Sequence, residues 1–113
     1  MSFYVYIIPS SRILGIQRYG SEGPGAEGSV MRASFSLGGL TVMCIDSPIS
    51  HGFTFTPASS LFVTCSSEAE IERIAAALGE GGQALMPLDD YGFSRKFTWV
   101  NDQFGVSWQL NLD

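Results

Sequence analysis

The order of elements in the second half of the chain constrains the fold most. Ser60 to Cys65 is an apolar, strand-like run. Ser67-Glu68-Ala69-Glu70 then forms a capping box, in which a serine hydroxyl and a glutamate carboxylate satisfy free N–H groups at a helix start. Ile71, Ile74, Ala75 and Leu78 recur at i, i+3, i+4 and i+7, one apolar stripe on a helix. Gly79 and the Gly81-Gly82 pair end it. Three strand-like segments close the chain: Gln83–Leu88, Lys96–Val100 and Val106–Leu112. The helix therefore has a sheet on which to lay its stripe, and the half reads strand, helix, strand, strand, strand.

The first half repeats that order with its opening strand lacking. Residues 2–9 are apolar and aromatic and fit a short helix or a strand; the run is too short for periodicity to decide. Arg12 to Tyr19 reads as a strand in which Gly15 marks a bulge or a close backbone contact. Gly20–Gly28 is a glycine-rich loop. Val30 to Leu37 alternates, with Met31, Ala33, Phe35 and Leu37 on one face and Arg32, Ser34 and Ser36 on the other. Gly38-Gly39 is a two-residue hairpin signal. Leu40 to Ile45 returns as a strand so continuously apolar that both its faces are expected to be covered.

At 113 residues the chain is one domain by length and buries roughly 65% of its unfolded surface. The net charge of −5 and the scattered basic residues, with only Arg95-Lys96 adjacent, argue against a nucleic-acid or anionic-membrane surface. No apolar run is long enough for a membrane helix. Met1-Ser2-Phe3-Tyr4-Val5 lacks the basic start of a signal peptide. Cys44 and Cys65 each sit in an apolar run and read as buried free thiols. These features together lead us to expect a cytoplasmic protein.

Several segments resemble the PhnB-like branch of the vicinal oxygen chelate superfamily, the relatives of glyoxalases and bleomycin-resistance proteins. They are Met86-Pro87-Leu88-Asp89, the strand Gly105-Val106-Ser107-Trp108-Gln109-Leu110, Phe3-Tyr4-Val5 with Pro9-Ser10-Ser11-Arg12-Ile13, and His51-Gly52-Phe53-Thr54-Phe55. The resemblance spans the whole chain and implies an α+β fold. Paired βαβββ modules would form a curved mixed sheet around a cleft, with the first strand of module 1 missing. Module 1 would cover about 1–50, a linker 51–58 and module 2 about 59–113. Members of this branch often carry a 3-demethylubiquinone-9 3-methyltransferase label, yet the chain shows no methyl-donor motif and no phosphate-binding glycine loop.

Enzymes of the superfamily hold a divalent metal with His, Gln and Glu on four strands. By resemblance the first position falls on the missing strand. The second falls on Thr41–Ile45, which offers Met43 and Cys44, the third near Ser60, and the fourth on Gln109. Neutral oxygens hold such ions weakly, so no metal and no cofactor is expected. Gln109 alternates with Trp108 and Leu110 and should face opposite to them, into the cleft, which makes it the leading pocket residue. Trp99 and Trp108, with Phe97 and Phe104, line a cavity or pack the core. His51 is a pocket group or a loop residue packed on Phe53 and Phe55. Asp89-Asp90 is either a carboxylate pair with one raised pKa or a turn after Pro87.

The expected function is metal-free binding of a small organic molecule in an apolar, aromatic cleft. Its candidates are Gln109, Trp99, His51, Phe53, Cys44, Ser60 and Asp89. The resemblance also implies a homodimer. The alternatives are a metal-dependent lyase, isomerase or dioxygenase, and a structural member without a ligand.

Overall fold

The computed structural model describes every residue except 22–26, 47–51 and 53. His51 and Phe53 lie outside the described residues. The chain divides into two compact units, residues 1–52 and 53–113. Their described residues make an α+β protein of two helices and two sheets.

The N-terminal unit contains helix α1 (Ser2–Ile7) and strands β1 (Arg12–Arg18), β2 (Val30–Leu37) and β3 (Leu40–Cys44). The apolar start of the chain is thus helical. Ile7 and Ile8 bury against the sheet, and α1 packs on β2 and β1. The strands form an antiparallel sheet in the order β1-β2-β3. Gly38 and Gly39 make the β2–β3 turn with φ of 58° and 96°, the left-handed backbone that a two-residue hairpin needs and glycine supplies. A register shift between Ile13 and Gly15 is the bulge marked by that glycine.

Alternation on β2 is as the sequence predicts: Ala33, Phe35 and Leu37 are buried on the face that α1 covers. One expectation for this unit fails. β3 is exposed along most of its length: Leu40 and Met43, and Ile45 just after the strand, are each more than half exposed. It is an edge strand, and α1 packs on β1 and β2 instead. Cys44 is therefore an exposed thiol, not a buried one.

The C-terminal unit contains β4 (Leu61–Thr64), helix α2 (Glu68–Gly79), β5 (Gln83–Asp89), β6 (Lys96–Asn101) and β7 (Ser107–Leu112). The sheet order is β4-β7-β6-β5. β4 runs parallel to β7, and the other pairs are antiparallel. Pro87 lies on the edge strand β5, where a missing N–H costs no ladder bond, and the β5–β6 register shifts on either side of Met86.

α2 starts as its capping box predicts, with one difference. Glu70 N donates to Ser67 Oγ at 3.1 Å. The Glu70 carboxylate, however, accepts from the backbone N–H and hydroxyl of Ser66, at 3.2 and 3.0 Å, one residue before the expected partner. Ile71, Ile74 and Leu78 are fully buried against β6 and β7. The opposing layer is Trp108, Leu110, Leu112 and Val100, with Cys65 also buried.

Candidate functional site

Register in the C-terminal sheet sorts its residues between two faces. Trp108 pairs with Val100 and Leu61, and Leu110 with Thr98 and Val63; this is the α2 side. The other face carries Gln109, paired with Trp99 on β6 and Phe62 on β4. The two tryptophans thus separate. Trp108 is wholly buried core, whereas Trp99 is half-buried on the face that α2 leaves open.

A hydrogen-bonded group sits on that open face. Ser107 Oγ accepts from Trp99 Nε1 at 2.8 Å and lies 2.6 Å from Ser60 Oγ. Ser60 stands just before β4, level with Ser107. Asn101 pairs with Ser107 and shares its face. Its Oδ1 is buried and accepts no hydrogen bond from the described residues. Period-2 alternation would have placed Ser107 and Asn101 beside Gln109 and Trp99, but nothing in sequence marks a serine as the centre of such a group.

Aromatic rings continue this face. Phe62, 58% exposed, lies 6.5 Å from the buried ring of Phe97. Phe97 packs edge-to-face with Phe93 at 4.9 Å and with Tyr91 at 6.2 Å. Phe93 itself is largely exposed.

Asp89 and Asp90 form a turn. Asp89 Oδ1 accepts from Asp90 N and Asp90 Oδ1 from Gly92 N, each at 2.8 Å. Asp89 is exposed at the end of β5, in register with Phe97. Cys44 belongs to the N-terminal unit. There it lines a hollow of about 300 Å³ with Met1, Ile16, Arg18 and Asp46. Ser60, Trp99, Gln109 and Asp89 thus share the C-terminal unit, and Cys44 stands in the other.

The donor set on the open face does not fit a resident metal. Ser60, Ser107, Asn101 and Gln109 offer neutral oxygens, and the two serines already bond each other and Trp99. Among the described residues, no three of His, Cys, Asp and Glu gather in a metal-holding group. The nearby buried carboxylate, Asp102, is occupied by Trp108 and two backbone N–H groups. No helix among the described residues is long and apolar enough to cross a membrane.

The family described as 3-demethylubiquinone-9 3-methyltransferase matches residues 1–111. Among solved structures, a putative 3-demethylubiquinone-9 3-methyltransferase, PhnB protein, from Bacillus cereus is 52% identical. Its TM-score is 0.95, and the match covers 100% of this chain and 88% of that one. Protein PA1353 from Pseudomonas aeruginosa is 26% identical with a TM-score of 0.84, covering 99% and 85%. TioX from Micromonospora sp. ML1 shares the fold at 22% identity and a TM-score of 0.59, covering 96% and 84%. No curated protein matches the chain. A family match over almost the full length and a half-identical structural relative make this chain a member of the 3-demethylubiquinone-9 3-methyltransferase family, in the PhnB-like branch of the glyoxalase-like superfamily.

Proposed function

We propose that this protein is a metal-free small-molecule binder, using the open face of the C-terminal sheet for a compact aromatic ligand. The observation that carries the reading is the Trp99–Ser107–Ser60 hydrogen-bonded group beside Gln109, with the exposed ring of Phe62 next to it. An apolar wall with a few placed polar groups is the usual make-up of a small-molecule site. Phe62 and Phe93 offer ring faces for stacking, and Gln109 and Asn101 offer an amide edge for orientation. The neutral donor set favours an uncharged polar group on the ligand over a chelated ion.

The protein acts in this reading as a homodimer in the cytoplasm. Exposed apolar side chains on the edge strands of the N-terminal sheet, Ile13, Ile16, Leu40 and Met43, support the dimer, because monomers rarely leave such edges bare. Light scattering at micromolar concentration should give twice the chain mass of 12.2 kDa; a monomer removes this part of the reading.

The ligand claim is tested by thermal-shift screening of neutral aromatic compounds, because a ligand that binds the native state raises the melting temperature. A rise that survives chelator treatment and is lost in Gln109→Ala supports the reading. A rise that requires added zinc, nickel or manganese replaces it with a metal-dependent one.

A further inference from the structure

We propose that the outer edge of β3 is the contact between two copies of this chain, each β3 pairing antiparallel with the other so that the two N-terminal sheets join as one of six strands. This contact rests on the dimer reading above and does not depend on the ligand site.

The two described sheets end in four edge strands, β1, β3, β4 and β5. Proteins keep such edges from pairing by bulges, charges, proline or shortness. β1 shifts register twice and carries Arg12 and Arg18 at its ends. β5 also shifts twice and holds Pro87 and Asp89. β4 is the shortest described strand, at four residues. β3 has none of the other devices. It pairs with β2 residue by residue from Leu40 to Cys44 without a shift. From Leu40 to Ile45 the chain holds neither a charge nor a proline.

Backbone phase decides what that edge offers. Leu37 and Leu40 close the two-residue Gly38-Gly39 hairpin, so they exchange both hydrogen bonds and Leu40 turns its backbone groups inward. Inward groups then recur at every second residue: Val42 opposite Phe35 and Cys44 opposite Ala33. Asp46 keeps the phase, donating its N–H to Val30 O at 2.9 Å. Thr41, Met43 and Ile45 therefore point N–H and C=O outward, and nothing among the described residues pairs with them.

A second β3 fits this edge. Donors and acceptors at alternate residues match themselves across a two-fold axis, the commonest symmetry of a dimer. The strand brings no charge to that axis. Asp46, the first charge beyond it, already accepts from Val30 N, and its two copies lie at opposite ends of an antiparallel pair. Pairing also takes Leu40 and Met43, 55% and 60% exposed, out of water.

The test combines light scattering with amide hydrogen exchange on the full chain. Thr41→Pro removes an outward N–H that β2 does not use, so the β2–β3 ladder stays whole. Met43→Lys puts a charge at the contact. Each variant should scatter at 12.2 kDa where wild type gives twice that mass, with circular dichroism unchanged. If the proline variant misfolds, the lysine variant decides. Ile16→Lys, on β1, should remain a dimer. In wild type the Thr41 and Met43 amides should exchange about tenfold more slowly after a roughly hundredfold rise in concentration, because the monomer fraction falls as its square root. A dimer that survives in a folded variant overturns this contact and leaves the dimer reading standing. A wild-type monomer removes both. Protection of these amides that ignores concentration would assign the edge to the chain's own residues and would also overturn the contact.

Discussion

Trp108 Nε1 donates to Asp102 Oδ2 at 2.8 Å, joining the most buried aromatic side chain to the β6–β7 turn. The other carboxylate oxygen accepts from Phe104 N at 2.8 Å and Val106 N at 3.1 Å. One buried side chain therefore fixes the turn and orients the indole beneath α2. Because Trp108 and Gln109 are neighbours on β7, this anchor also sets which side chain faces the open side of the sheet.

Asp102→Ala should accordingly destabilise the protein by about 2–4 kcal/mol, since it removes the carboxylate that accepts from the buried indole N–H and from two backbone N–H groups. Urea denaturation followed by tryptophan fluorescence measures it. A loss below half a kcal/mol would mean that water replaces the carboxylate.

Ile74→Ala should cost about 2–4 kcal/mol through lost transfer energy and a cavity, because Ile74 is fully buried between α2 and the sheet. The same denaturation experiment reads it, and a nearly neutral result would place this stripe of α2 in solvent.

Gly82 and Gly15 should respond oppositely to alanine. A Cβ on Gly82 would collide with the carbonyl oxygen of Asn101, so the β5 start must move away from β6. Gly82→Ala should lose about 1–3 kcal/mol. Gly15→Ala meets no atom within 4 Å and should stay within about half a kcal/mol of wild type. Melting temperatures of the pair check the contrast.

The two thiols should differ sharply in reactivity. Burial first, and the Glu70 carboxylate second, push the Cys65 thiol up to about 11, with Arg73 partly offsetting them. Only the thiolate attacks a disulfide reagent. At pH 8, Cys44 should react quickly and Cys65 only after denaturant is added. The raised Cys65 value also sets a sign for stability. Below the unfolded thiol value of 9.0 both states keep the proton and the stability is intact. Between there and about 11 the unfolded chain releases its proton first, so stability should fall as pH rises. Denaturation midpoints across that range, compared with Cys65→Ala, check the direction.

The helix stripe, the β2 alternation, the glycine hairpin and the Gly15 bulge were legible in the sequence because each is a local pattern with one physical cause. The exposure of β3 was not: a continuous apolar run says nothing about which edge a short helix leaves uncovered. The same ambiguity kept Trp99 and Trp108 alike in sequence, though register divides them between face and core. Gln109 was identifiable from period-2 alternation with Trp108 and Leu110. Ser107, Asn101 and Phe62 became its neighbours only through pairing between strands. Asp102 carried a usable signal, an aspartate ahead of a glycine turn, but its bond to Trp108 depends on burial that only the folded sheet provides.

The Trp99 indole N–H reports most directly on the proposed metal-independent aromatic site on the open face of the C-terminal sheet. That proton donates to Ser107 Oγ in the free protein. Titrating chelator-treated protein with a neutral aromatic probe such as 2-naphthol should shift the Trp99 indole and Gln109 side-chain NMR signals saturably, and leave the Trp108 indole, bonded to Asp102, in place. Signals that stay still until zinc or nickel is added, or that never move, would contradict the account.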